Sequence, residues 1–347
     1  MTTKSVATEG PALVLAGDIG GTHATFAICA LRPDGSHETM VEKSFASRDF
    51  ENFDSLLNRL FSTSDTLALR PRLAASCLAV AGPVEHGSAT LTNLGWKVNA
   101  AEVAQKFALK SLRLINDFHA AGHGVMALDE RSLFSLQAAE ADSDGTVVVI
   151  GAGTGLGVAI LAREGEGYRV LPSEAGNADF APVDELQDML MIHLRRTYGR
   201  VSCERVVSGP GLMRIFSFLQ DSGYGIPSKQ LQEATRRSII DYADVIADFG
   251  LHKRDPLATQ ALDLFIAAYG SFAGNVALSA FARGGVYIAG GIAPRIAARL
   301  KEGGFVRAFT AKGGFAPLLT GIPVHVVMDA QVGLRGALRV AGQKALV

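Results

Sequence analysis

The sequence predicts an α/β protein built as two domains around a cleft. Three observations carry that prediction. The 347 residues exceed what one hydrophobic core holds, because single cores stop growing beyond roughly 250–300 residues. Short runs rich in Val, Ile and Leu alternate with stretches of helical periodicity. Two segments that begin about 130 residues apart, PALVLAG-DIGGTHA-TFAICAL and VVVI-GAGTGLG-VAILAR, share one plan: a β-rich run, a glycine-rich turn and a second β-rich run. Two related domains facing each other would leave such a repeat.

The elements follow in order. PALVLAG (11–17) and TFAICAL (25–31) form the first hairpin. SFASRDFENFDSLLNRLF (44–61) reads as a strand entering a helix, RLAASCLAVAGPV (72–84) as a buried strand closed by Gly82-Pro83, AAEVAQKFAL (100–109) as a helix and LRLI (112–115) as a buried strand. VVVI (147–150) and VAILAR (158–163) form the second hairpin. The rest is mostly helical. ELQDMLMIHLRRTY (185–198) places Leu186, Met189, Leu190 and Leu194 on one stripe, and GPGLMRIFSFLQ, RSIIDYADVIADFG and PLATQALDLFIAAYGSFAGNVALSAFAR follow as further helices. Val286 to Ala289 returns to a buried strand ending in Gly290-Gly291; a last strand, IPVHVVMD, precedes a helix near Gly333 to Val340.

Composition bounds the partners. With 48% hydrophobic and 19% charged residues and a formal net charge of -1, the chain carries no field that would gather nucleic acid or an anionic membrane. Cys29, Cys77 and Cys203 lie far apart, with no CxxC and no histidine pair at zinc spacing, which argues against a disulfide framework or a structural metal and fits a reducing cytoplasm. The N-terminal MTTKSVATEGPALVLAG has only PALVLAG as an apolar run and no cleavage-type segment after it, which argues against a secretory signal. Residues 264–282 contain no charge and approach membrane-spanning length, yet their Ala, Gly and Ser content suits a buried central helix.

Both glycine turns, GDIGGT (17–22) and GAGTGLG (151–157), are candidates for holding phosphate, since residues without Cβ let backbone amides converge on an anion. Neither is a standard nucleotide fingerprint: Leu156 stands where GxGxxG needs its last glycine, and the lysine of GxxxxGK[ST] is missing. Two tight hairpins without a ligand remain the alternative. Asp18, at the exit of a buried strand, needs a partner such as hydrated Mg²⁺, or else satisfies its own backbone in an Asx turn. In LRLINDFHA, Asn116 and Asp117 follow an apolar run where the strand should stop, so the pair either caps the next helix or performs chemistry.

GDIGGT, LINDF, GAGTGLGVA, PSEAGNADFAP, VSCERVVSGPGL and IAGGIAPRI, in that order, resemble the bacterial-type glucokinase family from about Leu13 to the C-terminal helix. The resemblance implies the two-domain actin-like ATPase (ribonuclease H-like) fold with an interdomain cleft, residues 1–118 plus 328–347 forming the small domain and 119–327 the large one. It implies ATP-dependent phosphorylation of glucose at its 6-hydroxyl, with ATP and Mg²⁺ as cofactors, a cytoplasmic enzyme and a homodimer. By the same resemblance Gly17, Asp18, Ile19, Gly20, Gly21 and Thr22 surround the transferring phosphate, with Asp18 on Mg²⁺ through water. Gly151, Gly153, Thr154 and Gly155 form the second phosphate hairpin, and Gly290-Gly291 the adenosine site. Asn116, Asp117, Glu174, Asn177 and Glu204 line the sugar pocket, with Asp117 taking the hydroxyl proton. One position departs from the pattern: the family's Glu-x-Gly-His is here Glu174-Ala175-Gly176-Asn177, which opens the alternatives of another hexose or amino sugar, or of a sugar-binding regulator with little turnover.

Overall fold

The computed structural model describes residues 11–32, 36–91, 93–237 and 242–345. The first ten residues of the targeting reading, and the helix reading over 238–241, therefore lie outside the described residues. The chain divides into two compact units, residues 1–128 with 331–347 and residues 129–330.

In the first unit β1 (Leu13–Ile19) and β2 (His23–Leu31) pair antiparallel, Leu13 opposite Ala30 and Ile19 opposite Ala24. β3 (His37–Ala46) extends the sheet beyond β2. Asn52 then starts α1 (Phe53–Leu60) by a reciprocal cap with Ser55, burying Phe53, Leu56, Leu57 and Leu60. After α2 (Ser64–Leu69), β4 (Leu73–Val80) pairs parallel with β1. Three short strands, β5 (Val84–Glu85), β6 (Ser88–Thr90) and β7 (Lys97–Asn99), make a separate small sheet before α3 (Ala100–Lys106). β8 (Leu112–Asn116) pairs parallel with β4 and runs without a loop into α4 (Asp117–Val125). The sheet order is β3-β2-β1-β4-β8.

The second unit repeats this plan. β9 (Leu133–Gln137) is followed by β10 (Val147–Ala152), β11 (Leu156–Glu164) and β12 (Gly167–Ser173), an antiparallel meander. Helices α5 (Glu185–Tyr198), α6 (Gly209–Asp221), α7 (Lys229–Arg237), α8 (Tyr242–Leu251) and α9 (Pro256–Ala280) come next. β13 (Gly285–Ala289) pairs parallel with β10; three short helices, α10 (Ala297–Arg299), α11 (Phe305–Thr310) and α12 (Ala316–Thr320), lead to β14 (Val324–Val327), parallel to β13. The order β12-β11-β10-β13-β14 thus reproduces β3-β2-β1-β4-β8, and β9 adds an antiparallel edge.

α9 is the core helix of this unit. Asp255, fully buried, caps it by accepting from Ala258 N (2.8 Å) and also holds Ser228 N (2.7 Å). Gly270 and Gly274 lie against the backbone of Phe305 and Phe309, so the charge-free stretch 264–282 packs against protein as its small residues predict.

Two sequence expectations shift. On α5 the buried stripe is Gln187, Leu190 and Leu194, while Met189 is 44% exposed and Leu186 half-buried. Gln187 can enter because it donates to the capping Asp184, whose Oδ2 is 3.1 Å from its Nε2. The domain boundaries also move, to 128/129 and 330/331 from the expected 118/119 and 327/328. The reason is α13 (Val332–Ala345), which packs against α4 so closely that Gly124 meets the Val332 carbonyl and Gly336 the Ala120 carbonyl.

Candidate active site

The junction of β8 and α4 resolves what the sequence left open about Asn116 and Asp117. Asn116 is the N-cap: its Oδ1 accepts from Phe118 N (2.9 Å) and His119 N (3.2 Å), and its Nδ2 donates to Gly82 O (3.1 Å). Its side chain also hydrogen-bonds the Asp117 carboxylate, so the amide is committed to the cap, to Gly82 and to Asp117. The cap is thus Asn116 alone, and the Asp117 side chain is not needed for it. Asp117, at the first helical position, has a carboxylate that accepts from Phe118 N (2.9 Å), from its own backbone N–H and from the Asn116 side chain.

Strand register brings a second carboxylate alongside. Asp18 pairs with Ala79 and Val80 with Asn116, so Asp18 on β1 and Asp117 after β8 emerge at the same end of the sheet. The Asp18 carboxylate has no hydrogen bond or ion pair among the described residues, and Gly333 in the first turn of α13 stands directly against its Oδ2. Burial raises the Asp18 pKa to about 6; burial, and then the Asp18 charge, raise that of Asp117 to about 7. Two uncompensated carboxylates of this kind fit a divalent cation. No cluster of three metal-ligating side chains exists among the described residues, so a cation here would keep most of its shell from water or a ligand's oxygens, as Mg²⁺ does.

The turn after β1 is held by a residue that the sequence did not flag. Gly20 N donates to His23 O (2.9 Å), while the buried Ser47 donates its N–H to Thr22 O (2.9 Å) and its hydroxyl to Gly20 O (2.8 Å). Gly20, Gly21 and Thr22 form the turn; Ile19 is a buried strand residue. Gly17 lies inside β1, where Leu78 and Phe26 occupy the space a Cβ would need, so its glycine is a packing requirement.

In the second unit Gly153, Thr154 and Gly155 form the corresponding turn, closed by Gly153 N to Gly155 O (2.9 Å) and braced by Gly209 N to Gly153 O (2.8 Å). Gly151 belongs to β10. The buried Tyr269 hydroxyl accepts from Ala152 N (3.1 Å), anchoring that strand end to α9. Glu204 Oε2 accepts from Leu156 N (3.0 Å), and Gly176 packs on the Leu156 carbonyl, so the Cys203–Arg205 and Ala175–Asn177 turns both dock on the hairpin. Thr154, Asn177 and Glu204 line a pocket of about 250 Å³. Glu174 is exposed, outside that lining. Gly290 (φ +80°) presses on the Ala152 carbonyl, bringing Gly290-Gly291 to the same hairpin.

A profile of the glucokinase family matches residues 15–344. The chain belongs to the glucokinase family. A curated glucokinase of Trichormus variabilis is 39% identical over 336 residues, covering 94% of this chain and 97% of that one. The crystal structure of a glucokinase from an Antarctic psychrotroph superposes with a TM-score of 0.78 at 32% identity, covering 97% of this chain and all of its own. A glucokinase from Balamuthia mandrillaris in complex with glucose superposes with a TM-score of 0.79 over 97% of this chain and 95% of its own, at 21% identity, a likeness of fold. The fold of this glucokinase-family chain is thus the actin-like ATPase α/β fold expected from the sequence.

The raised carboxyl pKa values make a stability prediction for the ligand-free chain. The folded state holds the Asp117 proton more tightly than the unfolded state, so this contribution is complete below about pH 4 and is lost as pH rises through about 7. Asp117→Asn is therefore expected to exceed wild type in stability at about pH 8, by on the order of 1–3 kcal/mol, and to match it near pH 4. Urea titrations at both pH values would show it; an equal or lower stability of the variant at pH 8 would remove the burial account.

Proposed function

We propose that the chain is an ATP-dependent glucokinase that transfers the γ-phosphoryl group of ATP to the 6-hydroxyl of glucose, yielding glucose 6-phosphate and ADP. The observation that carries this reading is the Asp117 carboxyl: set at a helix start by the Asn116 cap, partnered by no cation among the described residues and raised to about 7, it is a base matched to neutral pH. As the sugar oxygen bonds phosphorus and the bond to ADP breaks, the hydroxyl proton passes to Asp117. Asn116 orients the Asp117 carboxylate beside the sugar, and Asn116, Glu174, Asn177 and Glu204 offer hydrogen-bond partners to its hydroxyls. The turns at 17–22 and 151–155 hold the phosphates, Gly290-Gly291 receive the adenosine, and Asp18 holds Mg²⁺ through water. Mg²⁺ neutralises phosphate charge when bound. The enzyme is cytoplasmic and dimeric in this reading, and takes no nucleic acid or membrane as partner.

A coupled ADP-release assay over a panel of hexoses tests it. Turnover dependent on both glucose and Mg²⁺ is expected; turnover of mannose or glucosamine with glucose ignored would favour the second reading, which rests on Asn177 where the family's pattern has histidine. kcat/KM for glucose is also expected to rise with pH through about 7, as Asp117 must be ionised to accept a proton. A flat profile between about pH 6 and 8 would contradict the assignment.

A further inference from the structure

The pocket beside Glu204 holds more positive charge than the proposed reaction uses. Its lining includes Arg200, Arg205 and Arg214 against one carboxylate, Glu204, which is itself engaged by Leu156 N. Arg200 is accounted for, pairing with Asp179 (2.7 Å) and donating to the Asn177 carbonyl. Arg205 and Arg214 are not. Their guanidinium carbons stand 3.9 and 5.3 Å from the centroid of one ring, Tyr198; Arg214 also donates to the Tyr198 hydroxyl (3.1 Å) and to the Arg205 carbonyl (3.2 Å). Neither has an acidic partner among the described residues.

We propose that Arg205 and Arg214, held over Tyr198, form a subsite for a phosphate monoester, and that its ligand is a hexose phosphate whose hydroxyls reach Asn177 and Glu204. Two like charges packed on one ring without a counter-ion repel each other, and an arriving dianion relieves that cost. Guanidinium forks match phosphate oxygens in geometry and supply charge-assisted hydrogen bonds. Sharing Asn177 and Glu204 with the glucose site makes such a ligand compete with glucose, so the reaction product would restrain its own formation. This step rests on the glucokinase reading, because that reading places sugar hydroxyls at Asn177 and Glu204.

The test uses the full chain, with glucose 6-phosphate and inorganic phosphate as calorimetric probes. Steady-state ADP release with glucose varied runs in parallel. Glucose 6-phosphate is expected to bind more tightly than phosphate, to raise the apparent KM for glucose, and to bind at least about 10-fold more weakly to the Arg205→Ala/Arg214→Ala variant, whose kcat and glucose KM stay within about twofold of wild type. Arg214→Gln alone, which leaves Arg205 on Tyr198, is the second variant and is expected to lose several-fold; a melting curve accompanies each. Equal binding of both probes, lost in the variants, would support the subsite with free phosphate as its ligand. No binding to wild type, or binding that the variants leave unchanged, overturns it. Failure of the glucokinase reading would show separately, as absent ADP release with glucose, while the phosphate titration still tests the arginines.

Discussion

Asp117→Ala is expected to lower kcat for glucose phosphorylation by about two to four orders of magnitude, the range for removal of a positioned general base, with the fold intact. Two features make the loss specific to chemistry. The helix start survives, because Phe118 N and His119 N are both held by Asn116 Oδ1 and the Asp117 bond to Phe118 is a second one. Removing a carboxyl that burial has raised to about 7 relieves an electrostatic cost at neutral pH. Glucose affinity should fall far less than kcat, since Asn116 and the unit containing Glu204 are untouched. Near-normal turnover of a purified, folded Asp117→Ala protein would take the residue out of the mechanism.

Gly336→Ala is expected to destabilise the chain by about 3 kcal/mol or more, enough to cost most of the soluble yield, since whole proteins are stable by only about 5–15 kcal/mol. Helix propensity alone predicts the opposite sign, as alanine in a helix interior is favoured over glycine by about 1 kcal/mol. The packing decides against it. A methyl group at 336 would fall inside the Ala120 carbonyl and within 2.9 Å of Gly124 N, so backbone would have to move against backbone. Because α4 carries Asp117 at its first position, the surviving folded fraction should also lose turnover. Gly314→Ala, at a glycine with open space where its Cβ would stand, is the control and should be neutral in thermal melts. A Gly336→Ala protein as stable as wild type would show that α4 and α13 can separate at little cost.

Much of this was legible in residues. The two hairpins, the parallel strands β4, β13 and β14, and the long helix α9 are interior elements whose apolar runs betray them, and β8, although a sheet edge, carries the apolar run LRLI. β9 and β12 escaped because they are sheet edges: a strand with one free side needs less apolar sequence, and GYRVLPS carries an arginine and a proline. Met189 and Gln187 exchanged places on α5 because hydropathy ranks the side chains, whereas Asp184 gives the buried Gln187 Nε2 a partner, its Oε1 having none among the described residues.

The candidate site shows the same division. Glycine turns, Asp18 and the Asn116-Asp117 pair announce themselves by residue type, being costly at strand ends without a purpose. Ser47, Tyr269, Gly333 and Gly336 announce nothing, although they hold the turns and seat α13 against Asp18 and α4. Arg205 and Arg214 likewise read as ordinary surface charges until Tyr198 gathers them.

Sequence alone therefore determined the fold class, the repeated hairpin plan, the family and the residue types able to do chemistry, because periodicity, glycine and charge are local properties. Tertiary structure alone decided which carboxylates share a sheet end, which glycines are contacts rather than turns, and how Asn116 divides its amide between the helix cap, Gly82 and Asp117. Those outcomes depend on distances between segments remote in the chain, which only register and helix packing set.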